Sequence, residues 1–141
     1  MISLDTNAVI AAVNLGPSLV RKRLEEALYR GEPVGISSIV LFELRYGIAK
    51  SARRERNESR LAEFMTGGVE VVTFDEDDAT EAGELRATLE RAGTPIGYYD
   101  ILIGAQARRR DAVLVTANVR EFVRVPGLRT EDWSTAFQGD E

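Results

Sequence analysis

The chain alternates short apolar runs with longer segments of helical periodicity. The apolar runs, which have the length of buried strands, lie near residues 1–5, around PVGIS, at VEVVTF and at AVLVT. Helical spacing predicts helices near 7–14 and 18–30, through SSIVLFELRYGIAKS and RRERNESRLAEFM, in EDDATEAGELRATLERAG, in IGYYDILIGAQA and just before GLRTEDW. This alternation predicts an α/β fold with a central, mainly parallel sheet covered by helices on both faces.

Polar residues at the starts of three predicted helices indicate where those helices begin. Asp5 or Thr6 is placed to cap the first helix, and Ser37 or Ser38 the helix that contains Glu43. Asp75 is placed to cap the segment EDDATEAGELRATLERAG.

Two acidic residues interrupt apolar helices, and a third directly follows a buried strand. Asp100 and Glu43 have no basic residue three or four positions away, so no salt bridge within the helix neutralises them. Each acid also has a structural explanation. Asp100 falls in a first helical turn, where the dipole favours it, Glu43 can reach water from the edge of the apolar stripe, and Asp5 can act as a cap.

A divalent cation shared by Asp5, Glu43 and Asp100 explains all three acids at once. The chain contains no His and no Cys, which excludes sites built on imidazole or thiolate as well as His-based catalytic triads and Cys nucleophiles. An all-oxygen site suits Mg²⁺ or Mn²⁺. An ion held by carboxylates activates water and stabilises charge on a phosphate, which points to phosphate or phosphodiester hydrolysis.

Polar residues also follow the predicted strand AVLVT. Thr116 either caps the next segment or orients a water, phosphate or metal ion, Asn118 can hydrogen-bond to the acids, and Glu121 can complete the site or simply lie on the surface. Thr6 and Asn7 occupy the corresponding place after the first strand. In open α/β sheets, ligands bind at the carboxyl ends of the strands, so both groups are expected near one site.

Length and charge limit the remaining possibilities. The 141 residues, 44% of them hydrophobic, predict one domain over 1–141. No apolar run approaches the roughly 20 residues that span a bilayer, and no signal peptide is visible, so we expect a cytoplasmic protein without a membrane partner. The net charge of −5 argues against nonspecific coating of nucleic acid.

Three basic clusters have simple structural explanations. Solvated helix faces account for the first two, and the helix dipole or substrate binding for the third. The clusters are Arg21, Lys22 and Arg23, then Lys50, Arg53 and Arg54, and finally Arg108, Arg109 and Arg110.

The chain contains, in this order, the four motifs LDTN, FELRYG, IGYYDILIGAQA and LVTANVREF. Together they resemble the motifs of PIN-domain ribonucleases, specifically VapC-type toxins of type II toxin–antitoxin systems. The resemblance extends through VPGLRTEDW. It implies a PIN-like three-layer fold and a Mg²⁺- or Mn²⁺-dependent endoribonuclease whose metal ligands and catalytic acids match Asp5, Glu43 and Asp100. The fourth position departs from the commoner pattern, because Asn118 stands where many members have Asp, and Glu121 is the candidate replacement.

The resemblance also implies a substrate and partners. Family members cleave structured RNA, often tRNA, and the closing residues are similar to those of toxins that cut initiator tRNA. The resemblance further implies a cognate antitoxin that blocks the acids and a homodimer. It also implies that promoter DNA is bound only through the toxin–antitoxin complex. On this hypothesis the ion activates water for in-line attack, and Thr6, Asn7, Thr116 and Asn118 support the carboxylates.

Two alternatives belong to other functional classes. A receiver-like phosphate-handling regulator also places acids at strand ends, but it requires a Lys after a late strand, where this chain has Ala117 and Asn118. A noncatalytic module whose acidic groove receives a basic peptide agrees equally well with the acids. Incubation with tRNA and Mg²⁺, with and without EDTA, distinguishes a nuclease from a binding module.

Overall fold

A parallel five-stranded sheet forms the centre of the structure, a computed structural model that describes residues 1–14 and 18–135. The predicted domain limits, 1 and 141, include residues outside those described. All strand pairs in the described part of the chain are parallel. The strands are β1 (Ile2–Leu4), β2 (Val34–Ser37), β3 (Glu70–Val72), β4 (Val113–Val115) and β5 (Arg129–Glu131).

Helices connect these strands and cover the sheet. They are α1 (Thr6–Val13), α2 (Leu19–Tyr29), α3 (Ser38–Ala49), α4 (Arg54–Met65), α5 (Glu76–Arg91), α6 (Tyr98–Arg109) and α7 (Val119–Phe122). Their order along the chain confirms the predicted α/β fold and the helices expected from periodicity. None of these helices combines the length and the apolar character that a membrane crossing requires.

The strand order β3-β2-β1-β4-β5 places the first strand in the middle of the sheet. The chain builds outward from β1 to β3 on one side, then crosses through α5 and α6 to add β4 and β5 on the other side. A reversal of this kind opens a crevice at the carboxyl ends of the strands next to β1. Asp5 directly follows β1, so the topology places it at this crevice.

Burial explains which strands have apolar sequences. Every residue of β1 and β2 is buried, whereas the edge strands β3 and β5 are largely exposed. A strand covered on both faces holds mainly apolar and small residues, such as Ser3 in β1, and an edge strand has no such requirement. One apolar cluster joins the sheet to α1–α4 and part of α6, and a second lies between α5 and α6.

Side-chain caps begin three helices as expected. Asp5 caps α1 by accepting a hydrogen bond from the Ala8 N–H, and Ser37 caps α3 by accepting one from the Ile39 N–H. Asp75 caps α5 in a reciprocal capping box with Asp78. The choice between Asp5 and Thr6 is thus resolved in favour of Asp5, and that between Ser37 and Ser38 in favour of Ser37.

The structure departs from the sequence prediction at β5 and in the first basic cluster. Strand β5 was not predicted, because its sequence, RTE, has no apolar residue. Arg23 was expected on a solvated face but is buried, and its guanidinium donates a hydrogen bond to the Asp132 carbonyl. Arg21 likewise donates to the Ala12 carbonyl, so two of these three cations have structural roles.

A buried carboxylate, Asp78, anchors the end of α6 to the start of α5. Its side chain is fully buried and accepts hydrogen bonds from Arg109 Nε at 2.8 Å, Arg110 Nη2 at 3.0 Å and Gln106 Nε2 at 3.1 Å. Burial alone would raise the pKa of Asp78, but the hydrogen bonds from Arg110, the Asp75 amide and Arg109 outweigh it and hold that pKa well below its usual range.

We predict that Asp78→Asn lowers the free energy of unfolding by about 3 kcal/mol, because it removes the buried carboxylate that two partly buried guanidinium groups share and leaves them only the more exposed Asp75. Urea denaturation at pH 7 measures this loss. The control, exposed Asp77→Asn in the same turn, should change stability by less than about 0.5 kcal/mol. Since the folded-state pKa of Asp78 is depressed, its contribution is complete at neutral pH and disappears as the pH falls. If the difference in free energy of unfolding between variant and wild type did not decrease below pH 4, this assignment would be contradicted.

Candidate active site

Asp5 lies at the centre of the candidate site, at the carboxyl end of the central strand. Its side chain is only 7% exposed, and its Oδ1 accepts a hydrogen bond of 2.8 Å from the Ala8 N–H. Burial raises the pKa of Asp5, with the charges of Glu43 and Asp132 acting in the same direction, while hydrogen bonds from Thr116 and Ala8 oppose the shift. Asp5 is therefore both the cap of α1 and a buried acid close to other negative charges.

Glu43 projects from α3 toward the start of α1. Its Oε1 accepts a hydrogen bond of 2.8 Å from the Thr6 hydroxyl, which follows Asp5 in sequence. The neighbouring Arg45 is not its partner, since Arg45 lies 3.5 Å from Glu58 on α4. The contact with Thr6 therefore ties Glu43 to the end of β1.

Asp100 and Glu121 form a coupled pair on α6 and α7. Burial raises the pKa of Asp100 to about 6, and the negative charges of Glu121, Glu43 and Asp5 add to the shift. A hydrogen bond from the Gly97 N–H lowers the pKa of Glu121, and smaller contributions from Asn118 and Asp100 act in the same direction. When Asp100 is protonated, it donates a hydrogen bond to ionised Glu121.

Two donors hold Glu121 in place. The Gly97 N–H donates to Oε1 at 2.7 Å, and the Asn118 side-chain amide donates to Oε2 at 2.6 Å. Gly97 also closely approaches the pair, since a Cβ at this position would lie 3.3 Å from Asp100 Oδ2 and 3.6 Å from Glu121 Oε1. The absence of a side chain at residue 97 leaves room for both carboxylates.

The other predicted supporting residues differ in their contacts. Thr116 is almost fully buried; its hydroxyl hydrogen-bonds to Asp5 and accepts a hydrogen bond of 2.9 Å from the Asn118 N–H. Thr6 contacts Glu43 as described. Asn7 is exposed on α1, and its side chain makes no hydrogen bond within the described residues, so its proposed role in orienting carboxylates remains a prediction.

Sequence reasoning missed two contributors to this site. Gly97 lies in the predicted helix IGYYDILIGAQA but was given no role in the site, although a free N–H at the start of a helix is available to bind an acid. Asp132, whose charge raises the pKa of Asp5, follows β5 and lies at the same edge of the sheet. Recognition of β5 as a strand would have placed Asp132 there.

No acid of the site forms a salt bridge in the part of the chain that the structure describes, although the charge of Arg124 contributes to the lowered pKa of Glu121. None of the ion pairs in this part of the chain includes Asp5, Glu43, Asp100 or Glu121. The third basic cluster pairs instead with acids of α5 and its cap: Arg108 with Glu81, and Arg109 and Arg110 with Asp75 and Asp78. These arginines are therefore structural.

As the side chains stand, no three acidic side chains among residues 1–14 and 18–135 are gathered closely enough to hold a metal ion. Asp5, Glu43 and Glu121 each accept hydrogen bonds from different N–H or O–H donors, as expected when like charges repel. The oxygen donors fit Mg²⁺ or Mn²⁺ chemically. Coordination of one ion by three of these acids would require their side chains to rotate.

The raised pKa of Asp100 predicts how stability depends on pH when EDTA removes divalent cations. Because the folded-state pKa exceeds the ordinary value of 3.8, the fold binds an additional proton between about pH 4 and pH 6, and stability falls as the pH rises through this window. Asp100→Asn should therefore raise the free energy of unfolding at pH 7.5 by about 1–2 kcal/mol, and by much less at pH 4. Denaturant titration in EDTA at both pH values measures the difference.

The control for this prediction is exposed Glu84→Gln on α5, which should leave stability nearly unchanged at both pH values. An equal effect of Asp100→Asn at pH 4 and pH 7.5 would show that the variant acts through packing rather than through charge.

Comparison with known proteins gives consistent matches along the chain. Residues 2–128 match the PIN domain. The tRNA(fMet)-specific endonuclease VapC of Shigella flexneri is 44% identical over 131 residues, which are 93% of this chain and 96% of the relative. Ribonuclease VapC2 of Rickettsia felis is 42% identical over 130 residues, which are 92% of this chain and 96% of the relative.

A solved structure matches the fold as well. The crystal structure of VapBC2 from Rickettsia felis, bound to a DNA fragment from their promoter, aligns with a TM-score of 0.87 and 40% identity over 94% of this chain and 99% of that chain. The resemblance inferred from the four motifs is confirmed. With its sheet, its edge of carboxylates and these relatives, the chain belongs to the PIN-domain family and, within it, to the VapC ribonucleases.

Proposed function

We propose that this protein is a Mg²⁺- or Mn²⁺-dependent endoribonuclease toxin, with Asp5, Glu43 and Asp100 as metal ligands and Glu121 as a fourth catalytic acid. The observation that carries the proposal is the electrostatic coupling at Asp100, whose pKa is raised by burial and by the charges of the other three acids. These acids come from four separate parts of the fold. Their convergence without a salt bridge among the described residues favours a site for a cation.

The chain's own residues would prepare the site for the ion. When bound, the ion would polarise a water molecule and the scissile phosphate of RNA. Thr6 and Thr116 orient Glu43 and Asp5 through their hydroxyls. The Gly97 N–H and Asn118 hold Glu121 beside Asp100 and keep it ionised. On this proposal, Asn118 is a positioning residue and Glu121 supplies the fourth carboxylate.

We propose structured RNA, and tRNA in particular, as the substrate. The support is the similarity to the Shigella flexneri protein, which is named for its specificity toward tRNA(fMet) and matches this chain over nearly its whole length. Initiator tRNA is the narrowest form of this proposal. An RNA substrate of this kind also leads us to propose a cytoplasmic location.

A cognate antitoxin is the proposed protein partner, with promoter DNA bound only through the resulting complex. The VapBC2 and other VapBC structures with DNA support this assignment. A groove of about 280 Å³ lies between α1, α3 and α4, with Glu43, Leu44, Ile48 and Leu61 among its lining residues. An antitoxin segment in this groove would cover Glu43. The apolar residues of α2, Val20, Leu24 and Ala27, pack in the core and do not line this groove.

We also propose a homodimer and a single PIN-like domain over 1–141. An exposed aromatic cluster supports the dimer: the rings of Phe42 and Tyr99 lie 5.5 Å apart, and Tyr46 and Tyr98 are 58% and 72% exposed. Aromatic residues are enriched at protein interfaces, where their large surfaces become buried.

Asp5→Asn tests the proposed metal ligand directly. The amide oxygen of Asn can still cap α1, so the melting temperature should change little, whereas the loss of the charge should reduce RNA cleavage by roughly 100-fold or more. Cleavage of tRNA in Mg²⁺, with EDTA as a second condition, measures the effect. The control is Asp111→Asn, because Asp111 is highly exposed and its φ of 53° is one that Asn tolerates. Full Mg²⁺-dependent activity of Asp5→Asn would refute the assignment.

Gly97→Ala tests whether the close approach at residue 97 matters. The backbone there is extended, so Ala introduces no strain, but its Cβ would lie 3.3 Å from Asp100 Oδ2 and displace the carboxylate pair. We expect cleavage to fall roughly tenfold or more, since small displacements of catalytic groups are costly. Gly83→Ala on α5 is the matched control, because a Cβ there meets no atom within 4 Å. Equal cleavage rates for the two variants would show that Gly97 does not contribute to the site.

A further inference from the structure

The segment formed by α3, α4 and their connection, which we call the α3–α4 hairpin, concentrates positive charge on an otherwise acidic chain. Residues 38–65 contain six basic and four acidic side chains, a local net charge of +2, whereas the whole chain carries −5. The basic residues are Arg45, Lys50, Arg53, Arg54, Arg56 and Arg60. This segment also carries Glu43, so the positive charge begins next to the candidate site.

Most of this charge is not neutralised within the described residues. Arg45 has a carboxylate partner, Glu58, at 3.5 Å. Lys50 lies over the Tyr46 ring, with its Nζ 4.7 Å from the ring centroid. No ion pair in the described part of the chain includes the remaining four arginines of the hairpin, whereas Arg108, Arg109 and Arg110 at the end of α6 each form at least one.

Arg60 is distinctive because it is half-buried and still lacks a carboxylate partner among these residues. Together with Asn57 and Glu43 it lines the groove between α1, α3 and α4. Arg53, Asn57 and Arg60 are spaced to share one face of α4, so this face leads from the exposed end of the hairpin into the groove. A partly desolvated guanidinium is stabilised by an anion that enters such a groove.

A cluster of carboxylates repels RNA, so RNA that approaches it needs compensating positive charge nearby. Guanidinium groups bind phosphates through paired hydrogen bonds and remain charged at every physiological pH. We propose that the α3–α4 hairpin binds the RNA backbone, with Arg60 holding a phosphate next to the one at the acidic site, and with Lys50, Arg53, Arg54 and Arg56 contacting phosphates farther along. This inference rests on the proposed ribonuclease function and adds the residues that position its substrate.

Binding of unfractionated tRNA in EDTA, where divalent cations are removed, tests the proposal by its salt dependence between 50 and 200 mM. Arg60→Gln should weaken binding several-fold and reduce the slope of log K against log salt concentration by about 1. Arg60→Lys, which keeps the charge, should largely retain the slope. Exposed Arg91→Gln at the end of α5 is the control and should change neither quantity.

A second variant protects the test against a folding defect at half-buried Arg60. The triple substitution Arg53→Ser, Arg54→Ser and Arg56→Ser removes only exposed side chains, so it should melt like the wild type and reduce the slope by about 2. With Mg²⁺, both hairpin variants should raise KM for tRNA cleavage more than they lower kcat, because they remove contacts made before and during the reaction.

The outcomes separate this inference from the proposed function. If the wild type cleaves tRNA while both hairpin variants bind it with unchanged affinity and slope, the hairpin assignment is overturned and the nuclease assignment stands. If the wild type shows no Mg²⁺-dependent cleavage, the nuclease assignment fails, and the salt slopes still decide whether the hairpin binds phosphate. If the variants bind tRNA normally but no longer bind a purified antitoxin, the hairpin is a protein-docking surface and the proposal is wrong.

Discussion

Repulsion among carboxylates at the carboxyl edge of the sheet is the constraint on which this structure depends. Asp5, Glu43 and Glu121 all act on Asp100, whose pKa rises to about 6 as a result of burial and their charges. Such an arrangement opposes folding at neutral pH, and the rest of the molecule must compensate for it. Fully buried central strands, capped helices and the Asp78 network supply that stability. The same repulsion makes the edge a favourable place for a divalent cation.

The helices and the central strands could be predicted because their determinants are local. Helical periodicity and caps such as Asp75 are visible within a few residues, β4 is a continuous apolar run, and β1 is apolar apart from Ser3. The main acids were also identifiable, because Asp100 and Glu43 have no basic residue at helical spacing. Their convergence, however, followed from the strand order, which no local pattern contains.

Features that depend on tertiary contacts were not predictable. Strand β5 has no apolar residue, so its pairing with β4 left no trace in its sequence. The hydrogen bonds from Thr6 to Glu43 and from Gly97 to Glu121 join residues 37 and 24 positions apart. The basic clusters show the same limit, since similar runs of arginine are paired in α6 and exposed on the α3–α4 hairpin. Whether a run of arginines is paired or exposed depends on which acids the fold places beside it, and the run itself does not show this.

The two ends of α6 perform different tasks, and the helix connects them mechanically. Its last turn is fastened to α5 through Asp78, while its first turn presents Asp100 to the other acids. Twelve residues at 1.5 Å each make this strut about 18 Å long. A rigid strut transmits tilt, so loosening the fastened end displaces the carboxylate at the opposite end. The geometry of the acidic site therefore depends on residues at the far end of α6. Substitutions at those residues can change the toxicity while every acid at the sheet edge stays the same.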